Sequence, residues 1–193
     1  MRIVITGGIG CGKSTVCNAL QQLMPDHHLV SADQMVRDLY AGNTHFRAGL
    51  MSRFGTTDRR EISAIVFADS ARRADLEALS WVYLEREVDA LLKRPDLIFE
   101  FPLFFESRKW IGWPDAVVVL GCDADIQRQR VLARDNITEE ALQRILAAQM
   151  PLAEKIRQAD IYLDTSGDLP GVLAAVAGLP AQLRNLPQKQ TCE

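Results

Sequence analysis

The stretch Gly7-Gly8-Ile9-Gly10-Cys11-Gly12-Lys13-Ser14-Thr15 constrains this chain more than any other. It fits Gly-x-x-x-x-Gly-Lys-[Ser/Thr], with Gly7, Gly12, Lys13 and Ser14 in the required places. A loop of this kind wraps phosphates by converging backbone N–H groups on anionic oxygens, and glycines at 7, 8, 10 and 12 admit the positive-φ conformations that convergence needs. Lys13 adds a point charge, the Ser14 hydroxyl is a hard oxygen ligand suited to magnesium, and a helix starting here turns its positive end toward the same phosphates. The flanks agree. Arg2-Ile3-Val4-Ile5-Thr6 is a short β-branched run fit for a buried parallel strand, and Ser14 to Met24 places Val16, Ala19, Leu20 and Leu23 on one helical face. Strand, loop and helix in this order separate a phosphate loop from a turn whose glycines serve shape alone. They predict a nucleoside triphosphate with Mg2+, held by Gly8, Gly10, Cys11, Gly12, Lys13, Ser14 and Thr15.

With 193 residues, 48% of them hydrophobic, the chain can bury the core of one sizeable domain with insertions. A net charge of −3 gives no broad basic field, so no nucleic-acid partner is expected and the phosphate site is local. No apolar run reaches membrane-spanning length, and the first strand begins at once, leaving no room for a signal peptide; a cytoplasmic enzyme without a membrane partner is expected. Cys11, Cys17, Cys122 and Cys192 show no Cys-x-x-Cys or Cys/His ligand spacing and read as free thiols. Cys11 reads as a small filler in the loop, with a reactive thiol beside a helix N-terminus as the alternative. Nothing in the sequence sets an oligomeric state.

After Pro25-Asp26 comes a short second strand, His28-Leu29-Val30, ending at Ser31-Ala32-Asp33. Asp33 then stands at the carboxyl end of a strand, where open α/β sheets place their ligand crevice. It equally suits the N-cap of the helix carrying Met35, Val36, Leu39 and Tyr40, and position alone leaves both readings open. His27, His28 and His45 have no companion ligands and read as surface residues. From Gly42 to about Arg94 the apolar spacing is helical throughout: Phe46, Leu50 and Phe54, then Ile62, Ile65 and Val66, then a series from Leu76 through Leu79, Val82, Tyr83 and Val88 to Leu92. Asp58-Arg59-Arg60-Glu61 opens one of these helices.

Leu97 to Phe101 forms the next strand, with Glu100 facing either the crevice or away from it, and Ala116 to Leu120 is a continuous β-branched strand. Helical spacing then aligns Gln127, Arg130 and Arg134 along one stripe, and Thr138 with Glu139 and Glu140 caps a further helix. A hinged, arginine-bearing pair of helices suits a closing lid; a salt-bridged surface helix is the alternative. Ile161 to Asp164 is a fifth strand, and Leu169 to Leu186 a last helix interrupted near Gly178 and Pro180, before a polar tail from Pro187 to Glu193.

With these pieces in order the chain resembles the dephospho-coenzyme A kinase family. Thr6 to Thr15 is close to that family's loop, which usually has Ser where Cys11 stands. Ala32-Asp33 with Arg37 resembles its Asp-Ala-Asp-x-x-x-Arg segment. Phe54-Gly55, Asp58-Arg59 and Phe67 resemble its acceptor-binding region, and Pro102-Leu103 with Glu106 resembles its Pro-Leu-Leu-x-Glu turn. Gln127, Arg130, Arg134-Asp135, Arg144, Gln149-Met150-Pro151, Lys155 and Ala159-Asp160 resemble its lid signature. Ser31, Trp81, Val82, Phe104 and Thr165 depart from the family pattern.

The resemblance implies a P-loop NTPase-type α/β fold: a five-stranded parallel sheet with helices on both faces, a helical acceptor-binding insertion over residues 34–94 and a lid over 124–150. It implies ATP-dependent phosphorylation of the ribose 3′-hydroxyl of dephospho-coenzyme A, a small-molecule acceptor. Lys13, Asp33, Arg130 and Arg134 are the implied catalytic residues, and Arg144 joins the nucleotide-binding set. Arg37, Arg59 and Glu106 serve the acceptor, and Ser14 the metal, with Glu100 an open candidate beside it. A kinase for another nucleotide or small hydroxyl acceptor, or a nucleotide-binding regulatory protein, is the alternative.

Overall fold

Residues 1–187, the Phe67 side chain excepted, are described by a computed structural model. Cys192 and the expected tail beyond Pro187 lie outside the described residues. In chain order the elements are β1 (Arg2–Gly7), α1 (Lys13–Leu23), β2 (His28–Ser31), α2 (Ala32–Gly42), α3 (Thr44–Phe54), α4 (Arg59–Ala68), α5 (Ser70–Leu92), β3 (Leu97–Glu100) and α6 (Phe104–Ser107). They continue with β4 (Ala116–Gly121), α7 (Ala124–Asp135), α8 (Glu139–Ala147), α9 (Leu152–Arg157), β5 (Ile161–Asp164) and α10 (Leu169–Arg184). The chain divides into two compact units, one of residues 1–30 with 95 onward and one of residues 31–94.

In the first unit, among the described residues, the strands form a five-stranded parallel sheet in the order β2-β3-β1-β4-β5. β1 and β4 are central and buried on both sides, which is why they read in the sequence as unbroken apolar runs. Alternation divides their side chains between two layers. Ile3, Ile5, Val118 and Leu120 join Val16, Cys17 and Leu20 of α1 and Val172, Val176, Leu179 and Leu183 of α10 in one core. Each such aliphatic side chain, fully buried, contributes about 1.5–3 kcal/mol. An aromatic group of Phe99, Phe101, Phe104, Phe105 and Trp110 has successive ring centroids 5.2 to 6.1 Å apart.

Some expectations give way here. Leu23 is 47% exposed, because the buried stripe of α1 runs through Val16, Cys17 and Leu20 toward the partly buried C-cap Met24 and leaves Leu23 at its edge. α10 continues through Gly178 and Pro180 without interruption; burial of Val176, Leu179, Pro180 and Leu183 offsets the amide that Pro180 lacks. His27, in the turn before β2, is partly buried, with both its ring nitrogens shielded from solvent, and burial together with the N-terminal ammonium pulls its pKa down. α6 and α9 have no counterpart in the apolar periodicity, being too short to show one. No helix among the described residues is long and apolar enough to cross a membrane.

The second unit is helical throughout. Asn43, Asp58 and Asp69 cap α3, α4 and α5 by accepting hydrogen bonds from first-turn amides, which makes each turn between these helices short and definite. Phe46 is fully buried and meets Tyr40 and Tyr83 edge-on at 5.1 and 5.7 Å. Phe54, Ile62, Leu79, Leu84 and Val88 are buried, whereas Val82, expected on the buried stripe, is 67% exposed. The buried positions 79, 84 and 88 set the inner face of α5, and Val82 falls outside it.

Candidate active site at the glycine-rich loop

The turn between β1 and α1 is held open toward the helix N-terminus. Gly12 is the N-cap of α1 at φ 72°, a left-handed conformation that disfavours any residue with a Cβ, and it supplies no capping side chain. The first amides of α1 thus present a positive end to an anion. Gly7 and Gly10 also have positive φ, at 146° and 77°, but Gly8 does not. At Gly8 space matters instead, because a Cβ there would stand 2.6 Å from the Gln127 Nε2 and push that amide off the loop.

Lys13 curls over the loop, its Nζ donating to the carbonyls of Gly7 at 3.2 Å and Gly8 at 2.8 Å. The Ser14 hydroxyl donates to Glu100 Oε1 at 2.8 Å. Glu100 is paired in register with Ile5 of β1 and only 6% exposed, so the strand turns its carboxylate toward the loop and not away. Two hard oxygen donors therefore stand side by side next to an ammonium group. This donor set suits magnesium, which takes one or two protein oxygens and completes its shell with water and phosphate oxygens.

Side chains distant in sequence brace the loop. Gln127 Nε2 donates to the Ile9 carbonyl at 2.8 Å, and the Ile9 amide donates to Gln149 Oε1 at 3.3 Å. Thr165, 2% exposed, donates from its hydroxyl to the carbonyls of Cys11 at 3.1 Å and Gly121 at 3.0 Å. Nothing local in the sequence marks these braces. Gln127 appeared as a stripe member and, with Gln149, in the lid signature, and Thr165 as a departure from a family pattern.

A cavity of about 320 Å³ opens beside the loop, lined by Gly10, Gly12, Thr15, Arg130, Arg134 and Thr165, with Leu169 and Val172 as its apolar wall. The stripe on α7 therefore reaches the site, but its members differ. Arg130 is fixed by two backbone carbonyls, Thr165 at 2.8 Å and Gly167 at 3.2 Å. Arg134 has a side chain 63% exposed and forms a two-pronged pair with Asp135 at 2.7 and 2.8 Å, which lowers the Asp135 pKa. Arg128 pairs with Glu139 at 2.5 Å and links α7 to α8. Arg144 is exposed on α8 and does not line the cavity.

Glu106 lies in a different environment. Its Oε1 accepts from Lys155 Nζ at 2.8 Å and from the Met150 amide at 2.8 Å, while Oε2 is buried without a hydrogen-bond partner among the described residues. Lys155 is fully buried and also donates to the Pro102 carbonyl at 3.3 Å, which in turn accepts from the Thr6 hydroxyl at 3.1 Å. The sequence gives no local sign of this buried ion pair.

The remaining expected residues belong to the second unit. Asp33 is exposed in the first turn of α2, and Ser31 is the N-cap of that helix. The capping reading of Asp33 is thereby corrected: β2 runs directly into α2, so the helix starts one residue before Asp33. Arg37 is exposed and donates to Gln34 Oε1 at 3.0 and 2.8 Å. Arg59 begins α4, and its charge tempers the Tyr40 pKa that burial pushes up.

A parallel sheet with a glycine-rich loop running from its first strand into a helix, with Lys, Ser and a strand-end carboxylate at the loop, defines the class of P-loop kinases. A shikimate kinase from Acinetobacter baumannii has this fold at a TM-score of 0.57 and 18% identity, over 96% of this chain and 94% of that one. Within that class the chain belongs to the dephospho-CoA kinase family, whose model matches residues 1–171. It is 34% identical to the dephospho-CoA kinase of Synechococcus sp. (strain JA-2-3B'a(2-13)), over 91% of this chain and 90% of the relative. TT1252 from Thermus thermophilus is similar in structure, at a TM-score of 0.72 and 29% identity, over 94% of this chain and 96% of that one.

Proposed function

We propose that the chain transfers the γ-phosphoryl group of ATP to the ribose 3′-hydroxyl of dephospho-coenzyme A, giving coenzyme A. The observation that carries this reading is the Ser14–Glu100 contact beside Lys13 at the mouth of the glycine cradle, in a chain that belongs to this family. Phosphoryl transfer asks a protein for position and charge neutralisation more than for covalent chemistry.

Gly8, Gly10, Cys11, Gly12 and Thr15 form the phosphate cradle with the first amides of α1. Lys13, held over the loop by the Gly7 and Gly8 carbonyls, neutralises charge on the β and γ oxygens. Magnesium, when bound, draws charge from those same oxygens. Ser14 and Glu100 are the residues that would hold it. Leu169 and Val172 offer a nucleobase an apolar wall, and Arg130 is preset by two carbonyls at the cavity edge. Arg134 exchanges its pair with Asp135 for the transferring group, with Arg144 following as residues 124–150 close as a lid. Asp33, just ahead of the insertion of residues 34–94, and Arg37 and Arg59 within it keep the acceptor-side roles that the family resemblance implies, Asp33 as base or orienting group. Glu106 contributes through Oε2, the oxygen not taken by Lys155 and Met150.

The test is ADP formation from MgATP with dephospho-coenzyme A, with other nucleosides or small hydroxyl compounds, and with no acceptor. Turnover that depends on dephospho-coenzyme A supports the assignment. Faster turnover with another acceptor gives that compound the site, and nucleotide binding without acceptor-dependent turnover makes the chain a regulatory binder.

A further inference from the structure

The glycine-rich loop carries a thiol that the transfer reaction does not use. Cys11 Sγ lies 3.5 Å from Cys122 Sγ, which sits just past the end of β4, and both residues are buried, at 1% and 8% exposure. The Gln127 amide also points at Cys11 Sγ from 3.7 Å. We propose that Cys11 and Cys122 form an oxidisable dithiol: a peroxide oxidises Cys11, Cys122 resolves it to a disulfide, and the loop loses its grip on nucleotide.

Surroundings divide the labour between the two sulfurs. Hydrogen bonding from Cys122, opposed by burial and aided by the Lys13 charge, pulls the Cys11 thiol below its ordinary range, which favours Cys11 as the attacking sulfur. Cys122 moves the opposite way, because its proton is shared with Cys11 and its site is buried; it stays a thiol. Cys17, 1% exposed, has its pKa raised by burial and by Glu100, and serves as an internal inert thiol. Access needs only a small oxidant. Hydrogen peroxide is near water in size, and the cavity borders Gly10 and Gly12, the two neighbours of Cys11.

The chemistry balances in two steps. The Cys11 thiolate attacks one peroxide oxygen, the O–O bond breaks, and hydroxide leaves and takes up the proton that Cys11 had released, giving water and a sulfenic acid. The Cys122 sulfur, losing its proton, then attacks the Cys11 sulfur; the S–O bond breaks, and the departing hydroxide takes that proton as a second water. Two electrons pass from the sulfurs to the peroxide oxygens. A disulfide holds its sulfurs about 2.05 Å apart, so the Cys11 side chain must close on β4. Its own amide bonds to Gly8 at 3.4 Å and its carbonyl to Thr165 at 3.1 Å, so the phosphate cradle moves with it.

The test treats the whole protein with hydrogen peroxide and maps tryptic peptides without reduction. Lys13, Arg37, Lys109, Arg128 and Lys189 place the four cysteines in separate peptides. The expected result is a linked Cys11–Cys122 peptide pair and a fall in affinity for a fluorescent ATP analogue of tenfold or more, both reversed by dithiothreitol. Cys122→Ser, and Cys122→Ala in case serine disturbs the site, should bind the analogue normally before oxidation, lack the linked pair and accumulate a dimedone adduct at Cys11. A crosslink through Cys17 or Cys192 instead, no dimedone adduct at Cys11 in either variant, or a Cys11–Cys122 link with unchanged nucleotide affinity would each overturn the proposal. The linked peptide is read without turnover, so its outcome is separate from that of the acceptor assignment.

Discussion

Replacing Lys155 by Met tests whether its buried pair with Glu106 is a structural support. Lys155 is 0% exposed, with its Nζ 2.8 Å from Glu106 Oε1 and 3.3 Å from the Pro102 carbonyl, and the Glu106 side chain is 19% exposed. Methionine keeps the length of the side chain and removes the charge. Glu106 is then left as a largely buried carboxylate with the Met150 amide as its remaining donor. Breaking a buried pair from one side costs about 3–5 kcal/mol, and the residual access of water to Glu106 places the expected loss near the lower end, at about 3 kcal/mol. For a chain of this size that is a fall in Tm of about 6–12 °C. Urea unfolding followed by circular dichroism measures the loss. Because the cost lies in the orphaned charge, Glu106→Gln combined with Lys155→Met should recover at least half of it. A single variant within about 1 kcal/mol of the parent, the range of an exposed pair, or a double variant no better than the single, would refute the reasoning.

Lys13→Ala should leave the unfolding profile unchanged and lower kcat/KM by an amount equivalent to about 3 kcal/mol or more, as when one oriented charge-stabilising donor is removed; near-normal turnover in a folded variant removes Lys13 from the mechanism. Arg134→Lys should lower kcat much more than it weakens ATP binding, since lysine keeps the charge but not the planar fork. Equal activity would return Arg134 to its surface pair with Asp135. Asp33→Asn should lower kcat by about 10²-fold, the range of a positioned acid–base group, with thermal stability little changed. Near-normal kcat would leave Asp33 as a first-turn acid favouring the α2 dipole and nothing more.

The elements whose signal is local were legible in the sequence. β1, the glycine-rich loop, α1 and β4 read directly, because a central parallel strand is apolar on both faces and the loop's chemistry demands particular residues in particular places. The order of elements and the arginine stripe followed from periodicity. Glu100 stayed open because a four-residue strand alternates, and only its register against β1 decides which face the carboxylate takes. Lys155 entered only through the lid resemblance, and its burial against Glu106, far away in sequence, is a tertiary contact that no spacing shows. The braces from Gln127, Gln149 and Thr165 to the loop are tertiary contacts that no spacing encodes. Asp33 was misread as a possible cap because no turn separates β2 from α2, so the helix begins earlier than the apolar pattern suggests.

The position of the new phosphate on the product tests the central claim most directly. Phosphorus NMR and mass spectrometry of a reaction with MgATP and dephospho-coenzyme A should show one ADP for each molecule of product, with a single added phosphoryl group on the ribose 3′-oxygen. ADP accompanied only by inorganic phosphate, or a phosphoryl group at any other position, would contradict the account.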